Sequence, residues 1–137
     1  WAVKRIGEKR LAGTYAFASL INSGAMVTFG SDWPVAPLSA IEGIYAAVLR
    51  ETIDGANPKG WLPDQRVSVE QAMVAYTANN AFAGFMDDRS GRIAPGMLAD
   101  IVVLDRDITK IDPETLPRTE VLRTIVGGKE RYAASAA

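Results

Sequence analysis

One short stretch of the sequence combines a buried-strand pattern with a carboxylate that could do chemistry. Residues 26–30 are mostly apolar, and the turn residues Gly30 and Ser31 lead directly to Asp32 and Trp33. A carboxylate at the C-terminal tip of a strand lies where parallel α/β enzymes place catalytic groups, because the loops after the strands form the active face. Asp32 is therefore the candidate for acid–base or metal chemistry, and Trp33 is the candidate for substrate contact.

Both assignments have simpler alternatives. Asp32 follows Gly-Ser and precedes Trp-Pro, a composition typical of turns, so its carboxylate could serve only to close the turn. Trp33 could pack on the rim of the fold instead of lining a pocket. The local pattern leaves both alternatives open.

Other polar residues are interpreted as structural. Arg50 ends an apolar helical pattern and is predicted to be a surface cation favoured by the helix dipole. Thr77 and Asn79 are predicted to cap or join helices. Asp100 and Asp105 flank an apolar run and are interpreted as the solubilising ends of a strand.

The composition is that of an ordinary globular chain, with 48% apolar and 23% charged residues. The formal net charge is −1, and Glu8 interrupts the basic cluster between Lys4 and Arg10, so no nucleic-acid partner is expected. No apolar run approaches the roughly 18 residues of a membrane span, so no membrane partner is expected either, and the expected location is cytoplasmic. The sequence contains no His and no Cys, which removes imidazole and thiolate as metal ligands.

Periodicity and capping signals predict a mixture of helices and strands. We expect helices near 14–23, 39–51 and 68–85, the last with a break or kink at Asn79-Asn80, and strands near 26–30, 99–105, 121–126 and 129–132. Ser39 with Glu42, and Ser68 with Gln71, match the capping box, in which side chains and backbone amides at a helix start bond reciprocally. The pair Gly127-Gly128 is typical of a tight hairpin turn.

The chain divides into two segments by composition. Helical patterns fill residues 1–88, and the polar stretch Asp87–Gly91 leads into residues 89–137, where β-branched apolar runs prevail. Between the helices, residues 52–66 contain several Gly and Pro residues and so predict a long loop. Its Trp61 is expected to pack at the rim of the fold.

Five segments, in this order, carry a specific resemblance to a known family. They are Gly30–Val35, Ala46–Arg50, Tyr76–Asn79 with Ala81 and Ala83, Gly91–Asp105, and Thr124–Gly128. Together they resemble the C-terminal part of the metal-dependent amidohydrolase superfamily, in the branch that includes N-substituted formamide deformylase. The resemblance extends from about Arg10 to Tyr132, and the ordered combination is more specific than any one segment.

The resemblance implies a fold. That family folds as a (β/α)8 TIM barrel that holds one or two divalent metals, with a small β-sandwich assembled from the two chain ends. A complete barrel typically needs about 250 residues, so the chain would be an α/β fragment. Residues 1–88 would be the end of the barrel, with its last strand and flanking helices, and residues 89–137 the C-terminal strands of the β-sandwich. Asp32 would end the eighth strand as a metal ligand and as the proton acceptor for metal-bound water.

The resemblance also implies an activity. It is the hydrolysis of a non-peptide C–N bond, in an amide or formamide, by metal-activated water. The substrate would be a small molecule, and the parent protein would hold a divalent metal, expected to be zinc. The family's histidines and its bridging lysine or glutamate would lie upstream of Trp1. Because catalytic zinc normally needs about three protein ligands, we expect this chain alone to bind no zinc and to hydrolyse no amide.

The chain begins at Trp1 without a methionine, so we expect a piece of something longer. One strand cannot close a barrel, and the apolar Val27 and Phe29 therefore need cover from elsewhere. The missing N-terminal part of the barrel, or self-association, would supply that cover. The alternative function is a non-catalytic structural or interaction module that oligomerises through this exposed apolar strand.

Overall fold

The computed structural model describes residues 2–135, and its helices precede its strands. The α-helices are α1 (Ala2–Ile6), α2 (Phe17–Asn22), α3 (Ala40–Leu49), α4 (Val69–Tyr76) and α5 (Ala78–Ala83). Short 3-10 helices cover Glu8–Gly13, Pro63–Gln65 and Pro113–Arg118. The strands are β1 (Ile101–Leu104), β2 (Val121–Val126) and β3 (Lys129–Ala133). The mixture of helix and strand agrees with the predicted α/β content.

Both predicted capping serines begin helices. The Ser68 hydroxyl accepts the Gln71 amide at 3.1 Å, and the Gln71 side chain accepts the Ser68 amide at 2.8 Å, so the box at the start of α4 is complete. The Ser39 hydroxyl accepts the Glu42 amide at 3.3 Å at the start of α3. Among the described residues the Glu42 carboxylate makes no return bond, so only half of this second box forms.

The helices predicted over 14–23 and 68–85 differ from those observed. The first begins only at Phe17, because Tyr15 has a φ of 49°, outside the helical range. The second is two helices, α4 and α5, and the break lies at Thr77 (φ −124°, ψ −88°), so the predicted break at Asn79-Asn80 is wrong. The Thr77 hydroxyl donates to the Met73 carbonyl at 2.7 Å, which confirms its predicted role in joining helices.

The strand predicted over 26–30 is wrong as a strand, although its backbone is extended. No neighbouring strand lies beside it within residues 2–135. Its carbonyls are bound instead by helix side chains: Asn79 Nδ2 donates to Val27 O at 2.8 Å, and Asn80 Nδ2 donates to Phe29 O at 2.9 Å. The Phe29 amide donates to the Ala75 carbonyl at 3.2 Å. A β-strand requires a hydrogen-bonded partner strand, whereas here residues of α4 and α5 supply the hydrogen bonds.

The side chains of residues 26–30 keep the alternation of a strand. Val27 and Phe29 are half-buried, while Met26, Thr28 and Gly30 are exposed. The expectation that Val27 and Phe29 need cover entirely from elsewhere is therefore corrected. The chain's own helices supply part of that cover.

The three strands form one antiparallel sheet in the order β1-β2-β3. Ile101 of β1 lies opposite Ile125 of β2, and the register shifts by a bulge before Leu104. The predicted hairpin between β2 and β3 is confirmed, with Gly127 at φ 57° and Gly128 at φ 75°. These positive values need residues without a Cβ, since a side chain would be strained there.

The core is centred on α3. Its buried residues are Ile44, Tyr45, Ala47 and Val48 of α3, Val67, Val69 and Ala72 from the start of α4, and Ile108 and Leu116 from the C-terminal segment. Leu116, which lies in the last 3-10 helix, is completely buried. Residues on both sides of the predicted boundary at residue 88 therefore share one apolar core. No helix among residues 2–135 combines the length and the apolar character needed to cross a bilayer.

Candidate functional site

Asp32 lies in a tight turn at the end of the extended segment. The Val35 amide donates to the Asp32 carbonyl at 2.9 Å, and the Ala36 amide donates to the Ser31 carbonyl at 3.2 Å. Backbone bonds therefore close the turn. The Asp32 carboxylate makes no hydrogen bond or ion pair within residues 2–135, and Asp32 has a φ of 51°, which is uncommon for a residue other than glycine. Its side chain is not used to hold the local structure.

Trp33 is adjacent to Asp32 and is also exposed. Its exposed fraction is 64%, so within the described chain it neither packs in the core nor closes over a pocket. Neither Asp32 nor Trp33 lines the two cavities described below. The catalytic and metal-binding role of Asp32, and the substrate contact of Trp33, stay predictions.

A cavity of about 440 Å³ begins beside this turn. Phe29, Gly30 and Ser31 form the end nearest Asp32, and the cavity runs along α3 to Arg50. Part of the wall forms where Tyr76 packs closely against Gly43 of α3: a Cβ added at Gly43 would lie 1.8 Å from the Tyr76 hydroxyl oxygen. Burial raises the pKa of Tyr76, so its hydroxyl is protonated at neutral pH.

The prediction that Arg50 is a surface cation is wrong. Arg50 is the C-cap of α3 in a left-handed conformation (φ 60°), and it is only 9% exposed. Its guanidinium carbon lies 5.0 Å from the ring centroid of Phe17 and 5.4 Å from that of Trp61, and its Nε donates to the Trp61 carbonyl at 3.1 Å. The sequence carries no local signal for this arrangement, because both aromatic partners lie far away along the chain.

A second cavity, of about 650 Å³, lies on the Trp61 side of Arg50. The predicted loop 52–66 forms part of its wall, with Thr52, Asn57 and Trp61. Asn57 fixes the loop: its Oδ1 accepts the Thr52 amide at 2.6 Å, and its Nδ2 donates to the Arg50 carbonyl at 3.1 Å. The Trp61 ring is held edge-to-face against Tyr15, with ring centroids 5.7 Å apart. Trp61 therefore packs within the fold, next to a cavity.

Three other predicted roles differ from what the structure shows. Asn79 was expected to cap or join helices, but it binds the Val27 carbonyl of the extended segment. Asp100 and Asp105 are more than solubilising strand ends. The Asp100 carboxylate accepts the Gly127 amide at 2.7 Å, and the Asp105 carboxylate accepts the Glu120 amide at 2.9 Å. These two acids fix β1 to both ends of β2.

A complete metal centre is not formed by this part of the chain. Among residues 2–135 no group of three or more His, Cys, Asp or Glu side chains is placed to hold a metal ion. The chain has neither His nor Cys, so imidazole and thiolate ligands are missing from it. A single carboxylate falls short of the about three protein ligands of catalytic zinc.

The sequence matches a known family over almost its whole length. The model of the amidohydrolase family Amidohydro_3 matches residues 1–132. The chain belongs to this amidohydrolase family. The predicted resemblance, based on the ordered segments from Gly30 to Gly128, is therefore confirmed.

Individual relatives agree with this assignment. The chain is 37% identical over 130 residues to Protein LONG AFTER FAR-RED 3 from Arabidopsis thaliana, a match covering 94% of this chain and 22% of that protein. It is 37% identical over 114 residues to N-substituted formamide deformylase from Arthrobacter pascens, covering 83% of this chain and 20% of that protein. A crystal structure of an uncharacterized metal-dependent hydrolase from Pyrococcus horikoshii OT3 superposes with a TM-score of 0.70 and 30% identity, covering 82% of this chain and 23% of that one.

The matched region is a small share of each relative. The chain spans about a fifth to a quarter of the length of these proteins. The fold described above therefore corresponds to part of a larger amidohydrolase fold.

Proposed function

We propose that this chain acts as the C-terminal part of a longer metal-dependent hydrolase that cleaves a non-peptide C–N bond, in an amide or formamide. The observation that carries the proposal is the match to N-substituted formamide deformylase across 83% of this chain. The name of that relative specifies the bond class, and the Pyrococcus horikoshii neighbour is named as metal-dependent. The substrate would be a small N-substituted amide.

In the proposed assembly, residues 26–30 are the last strand of a (β/α)8 barrel, and upstream strands pair with them. The free amides of Met26, Val27, Thr28 and Gly30 support this part of the proposal, because they donate no hydrogen bond within residues 2–135. Unpaired amides along an extended segment are a template for pairing with another strand. The sheet β1–β3 would be the C-terminal portion of the β-sandwich, within residues 89–137.

The proposed contribution of this chain to the catalytic centre is the carboxylate of Asp32. A carboxylate that neither closes its turn nor pairs with a cation is available to take up a proton or to bind a metal, and Asp32 is such a group. Trp33, exposed beside it, would form part of the substrate pocket. Residues 2–135 hold no cluster of three or more metal-ligating side chains, so the remaining ligands of a divalent metal, expected to be zinc, would belong to the upstream chain.

The test begins with the DNA upstream of the codon for Trp1. A continuous reading frame that encodes His-x-His after a predicted strand supports the proposal. A start codon close upstream without such a motif would favour the non-catalytic module that oligomerises.

The longer protein is then assayed for formate release from a small N-substituted formamide, with metal content measured by elemental analysis. We expect Asp32→Asn to lower kcat/KM by about 10²–10⁴, the usual contribution of a group that takes up or supplies a proton. Asp64→Asn is the matched control, because Asp64 lies in a separate exposed 3-10 helix, and it should leave the rate unchanged. Full activity in Asp32→Asn would overturn the role assigned to this carboxylate.

A further inference from the structure

Arg50 is a buried cation without an anionic partner. It is 9% exposed, and its Nη2 is fully buried without a hydrogen-bond acceptor among residues 2–135. Three other arginines, which form ion pairs, are more exposed: Arg66 with Glu51, Arg106 with Asp105, and Arg123 with Glu130. Burying a charge is costly unless an opposite charge or hydrogen bonds compensate it. Arg50 is therefore a buried cation that lacks a counter-charge among residues 2–135.

The guanidinium of Arg50 is held in place by its neighbours. Phe17 and Trp61 lie against it, and Nε is occupied by the Trp61 carbonyl. The backbone carbonyl of Arg50 is bound by Asn57 and by the Trp61 amide. A cation fixed in this way has already lost its rotamer freedom, so a ligand that binds it need not order it. Nη2 is left without an acceptor among the described residues.

Two acids line the cavities beside Arg50, and neither forms an ion pair with it among the described residues. Glu51, which lines both cavities, pairs with Arg66 at 3.5 Å, and Glu42, which lines the smaller cavity, forms no ion pair with Arg50 among residues 2–135. Desolvation by burial lowers the pKa of Arg50, which agrees with the absence of a neighbouring anion. The guanidinium still carries its charge at neutral pH, because the usual pKa of arginine exceeds 12.

Arg50 lines both cavities, and the larger one has the character of a ligand site. Its volume of about 650 Å³ lies within the range of about 300–1,000 Å³ that is usual for small-molecule pockets. Tyr15, Ala46 and Trp61 supply apolar and aromatic wall, and Thr52 and Asn57 supply polar atoms near Arg50. Glu51 also lines this cavity, and its carboxylate is paired with Arg66. Arg50 is therefore the unpaired charge of the wall, which matches a ligand with one negative charge and a flat apolar body.

We propose that Arg50 is a binding site for a carboxylate, and that the cavity between Tyr15 and Trp61 holds the apolar group attached to it. A planar guanidinium matches a carboxylate in shape and donates charge-assisted hydrogen bonds to it. The carboxylate belongs either to a small molecule or to an acidic side chain of the longer protein. The chemistry at Arg50 is the same in both cases, and it does not depend on the role of Asp32.

The first experiment titrates the 137-residue chain with benzoate and follows the Arg50 Nε–H and Trp61 indole N–H resonances by NMR. We expect saturable shifts with a midpoint of about 1 mM or tighter, as for a single charge-assisted contact with apolar burial. Benzyl alcohol, which has the same ring without the charge, should give no saturable shift. Sodium chloride at equal ionic strength should likewise leave both resonances in place.

Two substitutions locate the binding. Arg50→Gln removes the charge, and Arg50→Lys keeps the charge but loses the planar pair of donors; we expect each to weaken benzoate binding at least about tenfold, which is a loss of about 1.4 kcal/mol. Arg123→Gln is the matched control, because Arg123 is exposed, is paired with Glu130 and lines neither cavity, and it should bind benzoate as the unmodified chain does. The same spectra report whether each variant is folded.

A second arm separates the two sources of the carboxylate. Benzoate that binds the 137-residue chain and also the longer protein identifies a small-molecule site. Benzoate that binds the 137-residue chain but is excluded from the longer protein identifies an acidic side chain that fills the site there. The inference is overturned if the 137-residue chain shows no saturable benzoate shift, if benzyl alcohol binds equally well, or if folded Arg50→Lys and Arg50→Gln bind as the unmodified chain does.

Discussion

Two apolar runs in this chain are each followed by an aspartate, but the two runs and their aspartates have different hydrogen-bond partners. Residues 101–104 form β1, which pairs with β2, and Asp105 then binds the Glu120 amide and the Arg106 side chain. Residues 26–30 are extended without a partner strand, and the Asp32 carboxylate that follows has no partner within residues 2–135. The local patterns are alike, but the surroundings are not.

The comparison shows that the Asp105 carboxylate holds the sheet together, whereas the Asp32 carboxylate, within the described residues, is free to bind another group. At Asp105 the carboxylate lies where a strand needs an acceptor for the backbone of its neighbour, and its hydrogen bonds with Arg106 and the Glu120 amide lower its pKa. At Asp32 the turn is closed by backbone bonds alone. Carboxylates that hold structure are bonded, whereas those that do chemistry must have free lone pairs for a substrate, a proton or a metal. This contrast supports the assignment of Asp32 rather than Asp105 to the proposed site.

Hydrogen exchange gives the largest expected contrast between the two runs. In the 137-residue chain, the amides of Val27 and Thr28 have no acceptor, whereas β2 is bonded on both sides. We expect the hydrogen-bonded amides of β2 to exchange at least roughly 10³ times more slowly than the amides of Val27 and Thr28, relative to unstructured peptide rates, because bonded sheet amides exchange only on opening. NMR-detected exchange at neutral pH measures the ratio.

The Phe29 amide is an internal control for that experiment. It donates to the Ala75 carbonyl at 3.2 Å, so it should be protected more than its neighbours within the same extended segment. If the amides of Val27 and Thr28 were as protected as the bonded amides of β2, residues 26–30 would be paired with another strand in solution, as self-association would provide. In that case the contrast drawn here would not hold.

Much of the fold follows from local sequence signals. Ser39 and Ser68 start helices because their side chains satisfy amides that a helix leaves unpaired, and Gly127-Gly128 makes the hairpin because its backbone conformation excludes side chains. These signals act within a few residues, so a sequence shows them directly. The extended conformation of 26–30 was also predictable, from its short, mostly apolar run followed by turn residues.

The contacts that the sequence did not predict join residues that are distant along the chain. The Asn79 contact with Val27 joins residues 52 positions apart, and the aromatic pair around Arg50 is assembled from Phe17 and Trp61. A hint existed in Asn79-Asn80, since asparagine is a poor helix former; it was interpreted as a helix break, but it marks side chains recruited to bind a neighbouring backbone. Asp32 was selected as a candidate because its position after an apolar run is a local signal, and its role stays a prediction.

Replacing Asn79 by alanine tests how the extended segment is held, with a smaller expected effect. The substitution leaves the half-buried Val27 carbonyl without its donor, which costs about 1–3 kcal/mol, and alanine returns about 0.5 kcal/mol through helix propensity. We expect the free energy of unfolding to fall by about 1–2 kcal/mol, measured by urea denaturation. Asn22→Ala is the matched control, since Asn22 lies on an exposed helix end without a side-chain hydrogen bond among the described residues. A loss no greater than that of the control would show that helix packing alone keeps residues 26–30 extended.

The smallest expected effect concerns Asp107, which lies three residues after β1. Unlike Asp32, its carboxylate has partners on both oxygens, in Thr109 and Lys110. Hydrogen bonds from Lys110 and Thr109 lower its pKa to about 2. Because the folded state holds its proton less tightly than the unfolded state, whose pKa is near 3.8, the stabilisation is complete above pH 3.8 and disappears as the pH falls to about 2. The urea midpoints of the unmodified chain and of Asp107→Asn should therefore differ at pH 5 and converge near pH 2. A ¹³C titration of the carboxyl carbon should show Lys110→Ala raising the pKa toward its usual value and Lys59→Ala leaving it in place; a midpoint unmoved by Lys110→Ala would show that this ion pair does not form in solution.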